Sequence, residues 1–158
     1  MKRLIVVFVI IFLVVLISCK QETSFKAGEV NAKIDSARIE FKNNNVAGGL
    51  DILLDTVLTA LPYSDFPAEV ETKVYSAKES FKEGILNKEG TKALREALAL
   101  IKTKAEEQEP ASGRIGNVAE AFNKVLTSAQ EKMEKENPAG AVEMLLEGVL
   151  LILGPAVS

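Results

Sequence analysis

Paired carboxylates are the residues of this chain whose spacing could do chemistry. Asp51 and Asp55 lie four residues apart, as do Glu143 and Glu147, so each pair shares one face of a helix. Such pairs bind metal ions in helical bundles, but those sites also use histidine, and the 158-residue sequence contains none. Histidine is also the usual base that activates a serine nucleophile. The sequence therefore predicts no metal site, no cofactor and no enzyme, and it predicts solvated helix faces for the acidic pairs.

The single cysteine, Cys19, stands just after an N-terminal apolar segment. Residues 1–3 include two cations, residues 4–17 are all apolar, and a polar stretch follows the cysteine. These 14 apolar residues are fewer than the roughly 20 that a membrane-spanning helix needs, and they suit the apolar region of a signal peptide. We therefore expect residues 1–18 to be a signal peptide that is removed, with an uncleaved signal anchor as the alternative.

The four residues Leu16-Ile17-Ser18-Cys19 resemble the lipobox of bacterial lipoproteins, with an apolar residue at the first position and a small one before the cysteine. The resemblance implies cleavage before Cys19, a diacylglycerol thioether on its thiol and acylation of the new amino group. Several acyl chains together hold a protein stably on a membrane, here a membrane of the bacterial cell envelope. Residues 19–29 show little apolar periodicity, so we expect a lipidated tether there and one folded domain over residues 30–158.

The charge balance argues against nucleic acid as a partner. The formal net charge is −3, and removal of the two cations in the signal peptide lowers it to −5. Nucleic-acid phosphates require a basic surface, and the 6% of aromatic residues leaves few rings on which bases could stack. We expect the partners to be the membrane, through Cys19, and a protein or peptide of the envelope.

The rest of the chain repeats itself at an offset of 92 residues. The Ser-Ala pair at 36–37 recurs at 128–129, and the turn at 45–48 recurs at 137–140, while a weaker copy has its Ser-Ala pair at 76–77. Apolar residues three and four apart predict helices throughout, and an asparagine at each turn is expected to cap the next helix. The sequence thus predicts an all-α fold of about six helices. They form three hairpins, over about 28–44 with 47–61, 68–86 with 91–107 and 116–136 with 138–153.

Helical hairpins in a row resemble the tetratricopeptide class of α-solenoids. The small, large, small spacing of Ala141, Leu145 and Gly148 is similar to the second helix of that repeat, and Gly49, Leu53 and Thr56 repeat it. The resemblance implies a repeat stack that acts as a non-catalytic scaffold for protein binding. A compact helical bundle is the alternative architecture.

A scaffold role predicts a groove lined by polar residues beside the apolar stripes of the first helices. Side-chain amides suit an extended peptide backbone because they donate and accept hydrogen bonds together. The candidate binding residues are Asn31, Arg38, Glu71, Lys78, Asn123 and Gln130. Ordinary exposed polar side chains are the alternative interpretation of each.

The last predicted helix, Val142–Leu153, favours a second function. Residues 150–153 are all apolar, so this helix is apolar nearly all round. Such a helix is either central in the core or faces lipid, a cavity or a second copy of the protein. The alternative function is therefore a carrier of an apolar, lipid-like ligand in a helical cavity, and the same surface allows a homo-oligomer.

Overall fold

The computed structural model describes part of the chain, residues 25–82, 87–102 and 118–154. Together these residues form three helical hairpins. Every regular element in that part is helical, so the predicted all-α fold and its hairpins are confirmed. The helices are α1 (Ala27–Lys42), α2 (Val46–Ala60), α3 (Ala68–Phe81), α4 (Lys88–Lys102), α5 (Val118–Glu134) and α6 (Pro138–Leu153). A short 3-10 helix, Leu61–Tyr63, follows α2. The predicted signal peptide and Cys19 lie outside the described residues.

Each hairpin turns at an asparagine that caps its second helix. The backbone N–H of Gly48 donates to Asn45 Oδ1 at 3.1 Å, and that of Gly140 donates to Asn137 Oδ1 at 2.9 Å. Asn87 does the same for α4, accepting from the backbone N–H three residues on at 3.3 Å. These bonds satisfy amides that the first turn of a helix leaves free. The predicted capping role of the asparagines is confirmed.

The 92-residue repeat holds in the backbone as well as in the sequence. The turns after α1 and α5 each contain a residue in the left-handed region, with φ of 58° at Asn44 and 53° at the equivalent Glu136. Buried positions recur at the same offset: Val30 and Phe122, Ile34 and Leu126, Ala37 and Ala129, Leu53 and Leu145, Leu54 and Leu146, Val57 and Val149. The first and third hairpins are therefore two copies of one structural unit.

These two copies pack directly on each other, α1 against α5 and α2 against α6. Phe41 near the end of α1 meets Phe122 near the start of α5, with ring centroids 4.8 Å apart, so the two helices run antiparallel. First helix meets first helix and second meets second, as in a dimer with a two-fold axis, where each surface contacts its own copy. The first and third hairpins thus form a pseudo-symmetric pair, which we call the hairpin pair.

The middle hairpin packs against the second helices of the hairpin pair. Its α3 contacts α2 and its α4 contacts α6, so all three hairpins contact one another. In an open row of repeats the second hairpin would separate the first from the third. The contacts therefore favour the compact bundle over the repeat stack.

The second helices α2 and α6 form the centre of the core. Among the described residues, Val46–Tyr63 is the segment long and apolar enough to cross a bilayer by length and composition alone, and 44% of it is buried in the bundle. The apolarity of α6 has the same cause, because α6 contacts α2, α4, α5 and the 3-10 helix. Both helices are apolar on several sides since other helices cover several sides.

The folded part begins before the predicted boundary at Val30. Helix α1 starts at Ala27, and Phe25 packs on the core with its ring centroid 5.1 Å from that of Tyr63. Residues 25–29 of the predicted tether therefore belong to the folded part, and residues 19–24 lie outside the described residues. Periodicity does not detect this contact because Phe25 is an isolated aromatic residue in a polar stretch.

Candidate functional site

Three of the six predicted binding residues meet where α1 packs on α5. Arg38 Nη2 donates to Thr127 Oγ1 at 2.9 Å, and Gln130 Nε2 donates to Asp35 Oδ1 at 2.9 Å. The two contacts are equivalent, because positions 35 and 127 match in the repeat, as do positions 38 and 130. Gln130 also donates to the backbone carbonyl of Asn31 at 3.5 Å. These polar groups hold the two helices of the hairpin pair in register.

The other three predicted residues are dispersed. Asn123 is exposed on α5 and Glu71 is exposed on α3. Lys78 has only 15% of its side chain exposed, and it joins α3 to α2 through ion pairs with Asp55 and, at 3.4 Å, with Asp51. Since α1 packs on α5 whereas α3 packs on α2, the described residues do not form the predicted common groove along the first helices.

The acidic pairs of the hairpin pair attach the middle hairpin. Asp55 pairs with Lys78 of α3, and its repeat equivalent Glu147 pairs with Lys102 of α4 at 2.9 Å. Burial lowers the pKa of Lys78, but the hydrogen bonds and charges of Asp55 and Asp51 outweigh burial and raise that pKa above its ordinary 10.5. Lys78 is therefore a cation at neutral pH. Within the described ranges, no group of three or more acidic, cysteine or histidine side chains could hold a metal ion.

An open groove of about 360 Å³ crosses the middle hairpin between α3 and α4. Its lining residues are Glu69, Lys73, Glu96, Ala99 and Leu100. Lys73 Nζ donates to Glu96 Oε2 at 2.6 Å and lies 3.8 Å from Glu69 Oε1. The hydrogen bond between Lys73 and Glu96 raises the pKa of the lysine and lowers the pKa of the glutamate. Lys73 and Glu96 are thus ionised at neutral pH, and together with Glu69 they form the rim of a small apolar floor.

Apolar periodicity does not reveal this groove, because its charged partners belong to two helices and lie 23 residues apart in the sequence. The sequence does contain one indication of this contact between the two helices of the hairpin. Lys33 occupies the position in α1 that Lys73 occupies in α3, and it too reaches across its hairpin, donating to Thr59 Oγ1 at 3.0 Å. A lysine at the same position of two copies marks a contact between the helices of each hairpin.

Comparisons with protein-family models, with curated proteins and with solved structures find no match. The candidate sites are therefore interpreted from their own geometry. They comprise a polar contact that pairs two hairpins, ion pairs that attach the third, and a groove. Of these three, the groove is the concave surface, and it is open to solvent.

Proposed function

We propose that the protein is a lipid-anchored lipoprotein of the bacterial cell envelope whose helical bundle is a non-catalytic protein-interaction module. The apolar segment at residues 4–17 and the cysteine that follows it support the anchor. The observation that carries the interaction role is the open groove on the middle hairpin. That hairpin packs on the second helices of the hairpin pair.

The groove suits a docked peptide segment. Its volume of about 360 Å³ is at the small end for a ligand pocket, and it is open, so it accommodates a side chain or two of a partner that stays outside. Ala99 and Leu100 supply apolar contact. Lys73 lies beside both Glu69 and Glu96, and Lys92 lies 4.0 Å from Glu96, so the charges around the groove are balanced. An apolar side chain flanked by polar groups is therefore the partner chemistry that fits.

The anchor is tested by metabolic labelling with palmitate. Cys19→Ala is expected to abolish labelling and to release the protein from the membrane fraction. The diacylglyceryl group is attached through the cysteine thiol, which alanine lacks. Ser18→Ala is the matched control, since it keeps a small residue before the cysteine and is expected to leave labelling intact. Undiminished labelling of Cys19→Ala would contradict the assignment.

The interaction role is tested by photo-crosslinking in the intact envelope. A photoreactive amino acid in place of exposed Ala99 is expected to give one discrete adduct with a protein that mass spectrometry identifies. The same amino acid in place of Lys124, whose side chain is 76% exposed on α5, is the control and is expected to give none. The adduct should weaken in Lys73→Gln, which alters the rim. Equal adducts from both positions, or none from Ala99, would contradict a specific groove.

The alternative function, a carrier of an apolar ligand, has its own outcome. A native mass spectrum of the mature chain without Cys19 is expected to show the protein free of lipid. Co-purified lipid at a fixed stoichiometry would instead favour the carrier and count against a pure scaffold.

A further inference from the structure

Phe25, which precedes α1, and Tyr63, which ends the 3-10 helix, form a partly exposed aromatic pair at one end of the bundle. The ring of Phe25, which is partly buried, packs edge-on against Tyr63 with centroids 5.1 Å apart. Tyr63 ends the 3-10 helix after α2 and is 37% exposed, and Pro62 beside it is exposed as well. We call Phe25, Pro62 and Tyr63 the tether-end patch.

The anchor keeps this patch close to the membrane. Cys19 precedes Phe25 by six residues, which span at most about 20 Å when fully extended. This step rests on the proposed function, because the distance matters only if Cys19 carries acyl chains. A surface tethered so closely meets the bilayer at a high effective concentration, so a weak affinity is enough to keep it docked.

The chemistry of the patch matches the headgroup layer of a bilayer. Tyrosine places an apolar ring and a polar hydroxyl at the boundary where both are solvated, which is why it is enriched at membrane interfaces. Lys26, exposed beside Phe25, adds a cation for lipid phosphates. We propose that the tether-end patch is a membrane-docking surface that lies in the headgroup layer of the leaflet to which Cys19 is anchored.

The other exposed apolar side chains separate into two regions. Ile39, Val46 and Val118 lie at the far end of α1, because the start of α5 pairs with the end of α1 through the rings of Phe41 and Phe122. The 16 residues of α1 span about 24 Å, so docking at the tether end points this far end away from the bilayer. Tyr75, which is 58% exposed on α3, lies on the flank of the bundle.

The absence of tryptophan from the sequence permits a direct test. Tyr63→Trp and the matched control Tyr75→Trp each carry one tryptophan. Each lipidated full-length protein is inserted into vesicles of phosphatidylcholine and phosphatidylglycerol whose acyl chains are brominated near the headgroup. We expect bromine to quench tryptophan at 63 at least about twofold more than tryptophan at 75, because only the former lies at the interface. Binding to vesicles should reduce acrylamide quenching of tryptophan at 63, relative to the mature chain without Cys19 in solution, and should leave quenching of tryptophan at 75 unchanged.

The outcomes separate this inference from the proposed function. Equal quenching of the two variants, with the protein acylated and bound to vesicles, would overturn the docking surface and leave the anchor intact. A mature protein without acyl chains by mass spectrometry would overturn the anchor itself. Shielding of residue 63 from acrylamide in native membranes but not in protein-free vesicles would assign the patch to a protein partner and overturn lipid docking.

Discussion

The hairpin pair and the middle hairpin share a pattern but have different environments. The first and third hairpins cover one another, so α2 and α6 are buried on several sides. In the part of the chain that the structure describes, the middle hairpin packs mainly on their second helices, through α3 on α2 and α4 on α6, and it carries the open groove. Two copies of the helical unit thus form the pseudo-symmetric core. The third copy packs on that core and carries the groove.

This difference shows that copies of one helical unit can take different structural roles. Asp55 and Glu147 occupy the same acidic position in the two copies of the hairpin pair. Each forms an ion pair with a lysine of the middle hairpin, Asp55 with one on α3 and Glu147 with one on α4. Pairing between copies sets the core, whereas ion pairs set where the third hairpin sits. Stability is therefore expected to concentrate in the pair and binding in the middle hairpin.

The largest expected effect probes the equivalence of the paired copies. Leu53→Ala and Leu145→Ala each remove a fully buried side chain at matching positions of α2 and α6. Each is expected to lower the free energy of unfolding by about 2–5 kcal/mol through lost burial and a new cavity. Urea unfolding measures both. Costs that differ by more than about 2 kcal/mol would break the equivalence of the two copies.

A smaller effect probes where the two copies differ. A Cβ on Gly49 would come within 2.7 Å of the ring of Phe41, whereas the third hairpin has Ala141 and Met133 at these positions. Gly49→Ala is expected to cost about 1–3 kcal/mol through overpacking. Adding Phe41→Met, which copies the third hairpin, is expected to cost less than the sum of the single changes, with a coupling of at least about 0.5 kcal/mol.

The matched control for that cycle is Gly28→Ala. Apart from its chain neighbours and the backbone of its own helix, no atom lies within 4 Å of the Cβ it would add. Since α1 is helical there, stability is expected to stay level or rise by up to about 1 kcal/mol. Equal losses from Gly49→Ala and Gly28→Ala would show that the Phe41 contact does not matter.

The attachment of the middle hairpin is expected to depend moderately on Lys78. Lys78→Met keeps the apolar stem but removes the cation between Asp51 and Asp55, and we expect a loss of about 1–2 kcal/mol because the pair is partly buried. Lys82→Met, which removes an exposed pair with Glu79, is the control and is expected to leave the urea midpoint unchanged. Equal effects in urea unfolding would contradict the bridging role.

The smallest effect is the pH dependence of the groove. Because the pKa of Glu96 is lowered in the folded protein, its ion pair contributes stability above the pKa of the unfolded chain, near 4.5. That stability is lost as the pH falls through the pKa of the folded protein. Because the pKa of Lys73 is raised in the folded protein, its ion pair contributes stability below the pKa of the unfolded chain, about 10.5. That stability is lost as the pH rises through the pKa of the folded protein. Glu96→Gln is therefore expected to lower the urea midpoint slightly at neutral pH but not in acid. In a Lys73→Gln background the same change should have a smaller effect, because Lys92 is the cation that then stays beside Glu96.

Much of the fold could be predicted from local patterns, because the local rules act over a few residues. Apolar spacing indicated which helix faces are buried, and Asn45, Asn87 and Asn137 indicated where second helices begin. Neither pattern says which helix covers which face. Arg38 and Gln130 therefore looked like groove residues, although a contact 89 residues away at Thr127 occupies the arginine. The groove itself depends on a pairing between helices that periodicity does not encode.

The direct contact between the first and third hairpins is tested by crosslinking. Asp35→Cys with Gln130→Cys, in a Cys19→Ser chain so that no other thiol competes, is expected to be joined by a short bismaleimide, because the native side chains are 2.9 Å apart. The control pair, Asp35→Cys with Lys92→Cys, places the second thiol on α4, which packs on α3 and α6, and it is expected to stay open. An efficient crosslink between 35 and 130 alone supports the hairpin pair. A crosslink between 35 and 92, with none between 35 and 130, would contradict it.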